Sequence, residues 1–190
     1  MNYKWLPNLL TSCRIFLVPI FIFFLFSEYY HGKFIAFCIF IIASITDAYD
    51  GKIARKHDLV TKFGIFFDPL ADKFLILSAF YAFMFFPILT NTVKLWMIIM
   101  ISFRDVFVTI LRTTMQYKGI TMITSKLGKA KTALQFITIN LILIFLILNS
   151  YENTGQLNVI NHNLLYFFMF STTIITFYTG VHYFYHNHKT

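Results

Sequence analysis

Charge is scarce in this chain. Of its 190 residues 13% are Asp, Glu, Lys or Arg, against about 25% in a typical soluble domain, while 58% are hydrophobic and mean hydropathy is +0.68. That balance excludes an ordinary soluble protein. Cysteine is scarcer still. Cys13 and Cys38 both lie at or inside apolar segments, so they build neither a disulfide framework nor a thiolate metal site, and they read as small buried hydrophobes. No internal repeat and no low-complexity linker divides the chain, so residues 1–190 are expected to form a single membrane domain. A basic, aromatic-interleaved soluble module is missing too, which removes nucleic acid as a partner.

What the chain does have is a series of apolar runs. They cover Ile15–Tyr30, Phe34–Thr46, Phe74–Leu89, Leu95–Leu111, Ala133–Leu148 and Leu164–Tyr185. A helix crosses a bilayer in roughly 20 residues, and the shorter runs reach that length through their polar flanks. The fold expected is an all-α integral membrane protein with six transmembrane helices. The first run lacks a small-residue cleavage site, since "FSEYYHGK" follows it, and further spans come after; it is a retained helix rather than a secretory signal. Ahead of it, "NYKWLPNLLTSCR" predicts a short amphipathic interfacial helix with Trp5 at headgroup depth. The polar, turn-rich "SYENTGQLNVINHN" at 150–163 predicts an outer loop between the last two spans. In the tail "HYFYHNHKT", His182 and His186 have a spacing that suits a metal, but a tail emerging into the headgroups is the plainer reading.

Basic residues set the orientation. With the N-terminus inside, Lys4, Arg14, Lys52, Arg55, Lys56, Lys62, Lys118, Lys126, Lys129, Lys131 and Lys189 fall at one membrane face. The opposite loops hold Lys33 and Lys94 beside Glu28 and Glu152. Both termini and the loops 56–62 and 118–130 are therefore expected on the cytoplasmic side of the cell membrane. The net charge of +8 becomes an inner-face feature, suited to the lipid bilayer's anionic headgroups or to phosphorylated substrates.

Against this background the stretch "DAYDGKIARKHDLVTKFGIFFDPLAD" (47–72) stands out, because carboxylates are costly in an apolar setting. On a helix, positions i, i+3 and i+4 share a face. Asp47, Asp50, Gly51 and Ala54 then form one stripe at the inner end of the second span, and Gly64, Asp68 and Asp72 another at the start of the third. The connecting turn is short, so the two stripes are expected to face each other. Each sets carboxylates beside a residue with little or no side chain, the layout needed where a bulky group approaches the backbone next to bound cations. Oxygen ligands without a nearby His or Cys pair point to Mg²⁺ or Mn²⁺ rather than zinc. A phosphate-bearing substrate would complete the coordination of one or two such ions. Arg55, one turn after Gly51, adds a fixed positive charge, and Pro69 removes the hydrogen bond to the Ile65 carbonyl, which predicts a kink at the site.

Written out, the segment is Asp47-x2-Asp50-Gly51-x2-Ala54-Arg55-x8-Gly64-x3-Asp68-x3-Asp72. It resembles the full signature of the CDP-alcohol phosphatidyltransferase family. Eight fixed positions at fixed spacing arise by chance on the order of 10⁻¹⁰ per starting site at ordinary residue frequencies. The resemblance extends over nearly the whole chain, since that family has a short amphipathic N-terminal helix, six spans and cytoplasmic termini. It implies that a CDP-linked lipid binds with its diphosphate on the metal, that an acceptor hydroxyl attacks the lipid-side phosphorus, and that CMP leaves. By the same resemblance, Asp47, Asp50 and Asp68 are metal ligands, and Asp72 is both a ligand and the general base. Gly51, Ala54 and Gly64 make room for the nucleotide, and Arg55 helps hold phosphate. Asn8, Thr11 and Arg14 contact the nucleotide from the N-terminal helix, on a shorter and weaker motif. A homodimer is also implied.

Three further stretches, "LPNLLTSCRI", "FRDVFVTILR" and "SKLGKAKTALQ", resemble the branch whose acceptor is glycerol 3-phosphate. The expected reaction joins CDP-diacylglycerol to glycerol 3-phosphate, giving phosphatidylglycerol phosphate and CMP. An acceptor carrying its own phosphate needs cations, and Arg112, Lys126, Lys129 and Lys131 offer four, although Lys129 and Lys131 are not neighbours on a helix face. Arg104–Asp105, mid-way along the fourth span, reads as a structural pair or as support for the site. Other acceptors (phosphorylated inositol, serine, phosphatidylglycerol) are rivals within the same chemistry. A membrane prenyltransferase also uses Asp-rich helix ends, but without the Gly51–Ala54–Arg55 element. A divalent-cation transporter would place its carboxylates nearer mid-membrane.

Overall fold

The computed structural model describes residues 6–56, 62–117, 126–151 and 158–187, with side chains at 15–46, 73–115, 127–150 and 162–181. These residues form six α-helices: α1 (Leu6–Phe26), α2 (Gly32–Lys56), α3 (Lys62–Phe83), α4 (Leu95–Tyr117), α5 (Lys126–Tyr151) and α6 (Asn158–Asn187). A single 3₁₀ turn, Pro87–Leu89, follows α3. Each helix is longer than its apolar run because the polar flanks continue the same backbone hydrogen bonding. Two stretches among the described residues, Leu127–Ser150 and His162–Val181, are long and apolar enough to cross a bilayer. Ile15–Phe26, Gly32–Thr46 and Lys73–Phe83 are shorter apolar helices.

Three boundaries differ from the sequence reading. The amphipathic N-terminal segment is not a helix of its own: Leu6 to Phe26 is one continuous α1, with no residue that breaks it before the apolar run. Pro19 sits inside it, removing a single hydrogen bond. The apolar runs Ile15–Tyr30 and Phe74–Leu89 end early, at Phe26 and Phe83. Ser27 stops the first, its Oγ accepting from the Tyr29 amide at 3.1 Å, and Pro87 opens a 3₁₀ turn in the second. Within the polar segment 150–163, α5 continues to Tyr151 and α6 begins at Asn158, and 152–157 lie outside the described residues.

The chain forms two compact units, Met1–Ser78 and Ala79–Thr190, with the boundary inside α3. In the first, α1 packs on α2. Val18, Phe21 and Leu25 of α1 and Ala36, Phe40 and Ala43 of α2 are buried, and the Phe21 and Phe40 rings meet at 5.9 Å between centroids. The turn into α2 needs a glycine, because a Cβ at Gly32 would lie 2.8 Å from the Phe24 carbonyl oxygen. In the second unit α4 and α5 both pack on α6. Met97, Ile98 and Ile101 of α4, Ile139, Ile142 and Leu143 of α5, and Leu165 and Met169 of α6 are buried. A polar seam shares this interior. Asp105, Thr109 and Thr113 on α4, Lys131, Gln135 and Thr138 on α5, and Thr172, Thr176 and Thr179 on α6 are buried at three- and four-residue spacing.

Candidate active site

The aspartate signature lies on two helices of the first unit. Asp47, Asp50, Gly51, Ala54 and Arg55 occupy the last three turns of α2, and Gly64, Asp68 and Asp72 the first three turns of α3. The backbone is helical through every one of these positions, Pro69 included. Each set therefore shares a face of its own helix, as the spacing requires. The side chains of these residues and the connection 57–61 lie outside the described residues. So do the side chains of Asn8, Thr11 and Arg14 on α1, of Cys13, of Lys126 at the first position of α5, and of His182 and His186; His188 is outside entirely.

The other basic candidates belong to the second unit and divide by exposure. Arg112 and Lys129 are exposed, whereas Lys131 is buried, with about 1% of its surface accessible. Two residues on a helix are roughly 200° apart around the axis, so Lys129 and Lys131 cannot share a face. Lys131 Nζ donates to Asp105 Oδ1. The same carboxylate accepts from Arg104 Nη1 at 3.3 Å and, through Oδ2, from Gln135 Nε2 at 2.9 Å. Asp105 is thus gripped from α4 and from two positions of α5.

The physical reason is desolvation. A buried carboxylate costs several kcal/mol unless it is paired and its lone pairs are satisfied. Here an adjacent arginine, a lysine and an amide do so together. The Arg104–Asp105 pair was legible as two neighbouring charges; the roles of Lys131 and Gln135 were not. Their i, i+4 spacing, which puts them on one face opposite the acid of α4, was the signal that would have found them. Deeper in the seam the Thr138 and Thr172 hydroxyls are bonded at 2.8 Å. Gln135 Oε1, Thr176 Oγ1 and Arg104 Nε are buried without a hydrogen-bond partner. Among the described residues no three His, Cys, Asp or Glu side chains gather as a metal would require.

Comparison with known proteins finds relatives along most of the chain. A family model described as CDP-alcohol phosphatidyltransferase matches residues 4–178. The chain is 37% identical over 151 residues to the CDP-diacylglycerol–glycerol-3-phosphate 3-phosphatidyltransferase of Bacillus subtilis (strain 168), covering 73% of this chain and 76% of that one. It is 34% identical over 183 residues to the protein of the same name in Rickettsia felis, covering 95% of this chain and 94% of the relative. A probable phosphatidylglycerophosphate synthase of Mycobacterium tuberculosis is 37% identical over 139 residues, 72% of this chain and 64% of the relative.

Proposed function

The chain belongs to the CDP-alcohol phosphatidyltransferase family, an enzyme family of phospholipid biosynthesis in membranes, and from that premise we propose that it transfers the phosphatidyl group of CDP-diacylglycerol to glycerol 3-phosphate. The products are phosphatidylglycerol phosphate and CMP. The observation that carries this reading is the likeness to relatives named for that reaction, one of them matched over 95% of the chain.

The donor set suits a hard divalent cation. Four carboxylates at i, i+3 and i+4 positions of two helices, with no histidine or cysteine among them, match the oxygen preference of Mg²⁺ or Mn²⁺. Asp47, Asp50, Asp68 and Asp72 would hold it. Once bound, it supplies positive charge to the diphosphate of the CDP-lipid. The chain's own residues do the rest. Gly51, Ala54 and Gly64 leave the backbone open to the nucleotide, with Asn8 and Thr11 beside it, and Arg55 binds phosphate. Asp72 takes the proton of the acceptor hydroxyl as its oxygen attacks the lipid-side phosphorus and CMP departs.

The acceptor's phosphate calls for cations. Arg112 and Lys129, both exposed, offer donors to it, together with Lys126. Lys131 enters as a fixed buried charge held by Asp105. All six helices span the inner membrane, the active site and both termini lie on the cytoplasmic side, and the single domain of residues 1–190 works as a homodimer.

The test is CMP release by purified protein with CDP-diacylglycerol and Mg²⁺, offering glycerol 3-phosphate, serine, inositol phosphate or phosphatidylglycerol separately. Release with glycerol 3-phosphate alone is expected. Release with a different alcohol would keep the chemistry and discard the acceptor, and no metal-dependent release with any would sink the reading.

A further inference from the structure

The buried cluster of the second unit holds more positive charge than its acid needs. Asp105 has two carboxylate oxygens, and α5 alone supplies a donor to each, Lys131 Nζ to Oδ1 and Gln135 Nε2 to Oδ2. Lys131 and Asp105 already cancel in charge. Arg104 is a third ion on the same carboxylate, and its contact at 3.3 Å is longer than that of Gln135 at 2.9 Å. Two cations and one carboxylate leave these side chains with one positive charge in excess.

Burial gives that charge its reach. The Arg104, Asp105 and Lys131 side chains are 14%, 0% and 1% exposed, so salt screens them far less than it screens Arg112 or Lys129 at the surface. A guanidinium so placed loses hydration that one long hydrogen bond does not restore, and its Nε has no hydrogen-bond partner. Hydrogen bonding therefore does not explain why an arginine stands here, whereas its charge does. Gly180 makes room for the stem, since a Cβ there would lie 2.8 Å from Arg104 Cγ. Lys131 stands in the second turn of α5, about 7.5 Å along the axis from Lys126, while Arg104 stands near the middle of α4. Of the two cations, Lys131 is the one toward the basic segment assigned to the acceptor.

A lysine held by its own counter-ion offers a phosphate little, because the pair is a dipole rather than a charge. We infer that Arg104 is a positioning residue for the acceptor: by neutralising Asp105 from α4, it leaves the charge of Lys131 to attract the acceptor's phosphate, and it does not touch that phosphate itself. The effect is independent of any other contact that Asp105 or Lys131 makes, since Arg104 adds one unit of charge in every case. The inference rests on the reading of an acceptor that carries phosphate, and deepens it.

The experiment is steady-state kinetics of the full-length protein with CDP-diacylglycerol and Mg²⁺, each substrate varied in turn, at low salt and at about 0.5 M KCl. Arg104→Gln is expected to raise KM for glycerol 3-phosphate about tenfold at both, the scale of one unit charge acting on a dianion through protein. kcat at saturating acceptor and KM for CDP-diacylglycerol should stay within about twofold. Arg104→Lys keeps the charge and loses the fork, and is expected to restore most of the loss. Should Arg104→Gln not fold, Gln135→Glu decides alone: it lowers the cluster's charge by the same unit from α5 and is expected to raise the same KM. An unchanged KM for glycerol 3-phosphate, parallel rises for both substrates, or an Arg104→Lys variant as poor as Arg104→Gln overturns the inference. Wild type judges the acceptor separately. If it works with inositol phosphate and not with glycerol 3-phosphate, that reading fails, and the same variant ratios taken with inositol phosphate still decide the inference.

Discussion

Asp105 keeps about 1% of its surface exposed, and a carboxylate so placed persists because Arg104, Lys131 and Gln135 all donate to it. Removing it strands two cations in the interior of the second unit. Asp105→Ala is therefore expected to destabilise the protein by roughly 3–5 kcal/mol, the usual cost of breaking a buried pair from one side. Equilibrium unfolding in detergent checks this, and a loss under about 1 kcal/mol would mean that the contacts contribute little. The signature aspartates make the opposite prediction. Asp68→Asn and Asp47→Asn change one atom at the ends of α3 and α2, so the protein should fold and melt as wild type does. Activity should fall by about 10²-fold, the scale on which groups aimed at transition-state charge act. Full activity in either variant, at a metal concentration limiting for wild type, removes the metal-site assignment. At this scale the sequence was readable where a position depends only on its own helix, as with Asp47 and Asp50, whose spacing sets them on one face of α2. It was not readable for Lys131, whose partner lies 26 residues away.

Helices α4, α5 and α6 meet through small and hydroxylated residues as well as apolar ones. Thr138 and Thr172 bond across α5 and α6, while Thr173 and Thr179 bond back to carbonyls of their own helix. Such bonds between membrane helices contribute about 0.6 kcal/mol on average, so packing sets most of the stability. Gly180 is the tight point on α6. Gly180→Val is expected to cost roughly 1–3 kcal/mol through overpacking against Arg104, seen as a lower melting temperature. An unchanged melting temperature would show that the arginine stem moves aside freely. The helices themselves were legible from apolar periodicity and length. Their ends were less so, because hydropathy does not register a hydroxyl cap such as Ser27, or a polar stretch such as Asn158–Asn163 that continues a helix for another turn and a half.

For the molecule as a whole, the proposed orientation puts residues 118–125 inside and 152–157 outside, following the excess of lysine and arginine in the inner loops. In a version free of Cys13 and Cys38, Asn153→Cys should react with a membrane-impermeant thiol reagent in intact cells. Lys118→Cys should react only after permeabilisation. The reverse pattern would invert the topology and put the aspartates on the face away from cytosolic glycerol 3-phosphate.

The sequence by itself determined the family and the chemistry, because eight residues at fixed spacing along two helices are a local pattern that backbone geometry converts directly into two faces. It also determined the all-helical class, since apolar runs of this length have few other folded forms. Only the tertiary structure decided that Lys131 is buried on Asp105 while Lys129 stays exposed, that Gln135 joins the pair, and that the Arg104 stem lies against Gly180. Those facts depend on which helix packs on which, a long-range choice made by side-chain shape across α4, α5 and α6, and no spacing within one segment encodes it.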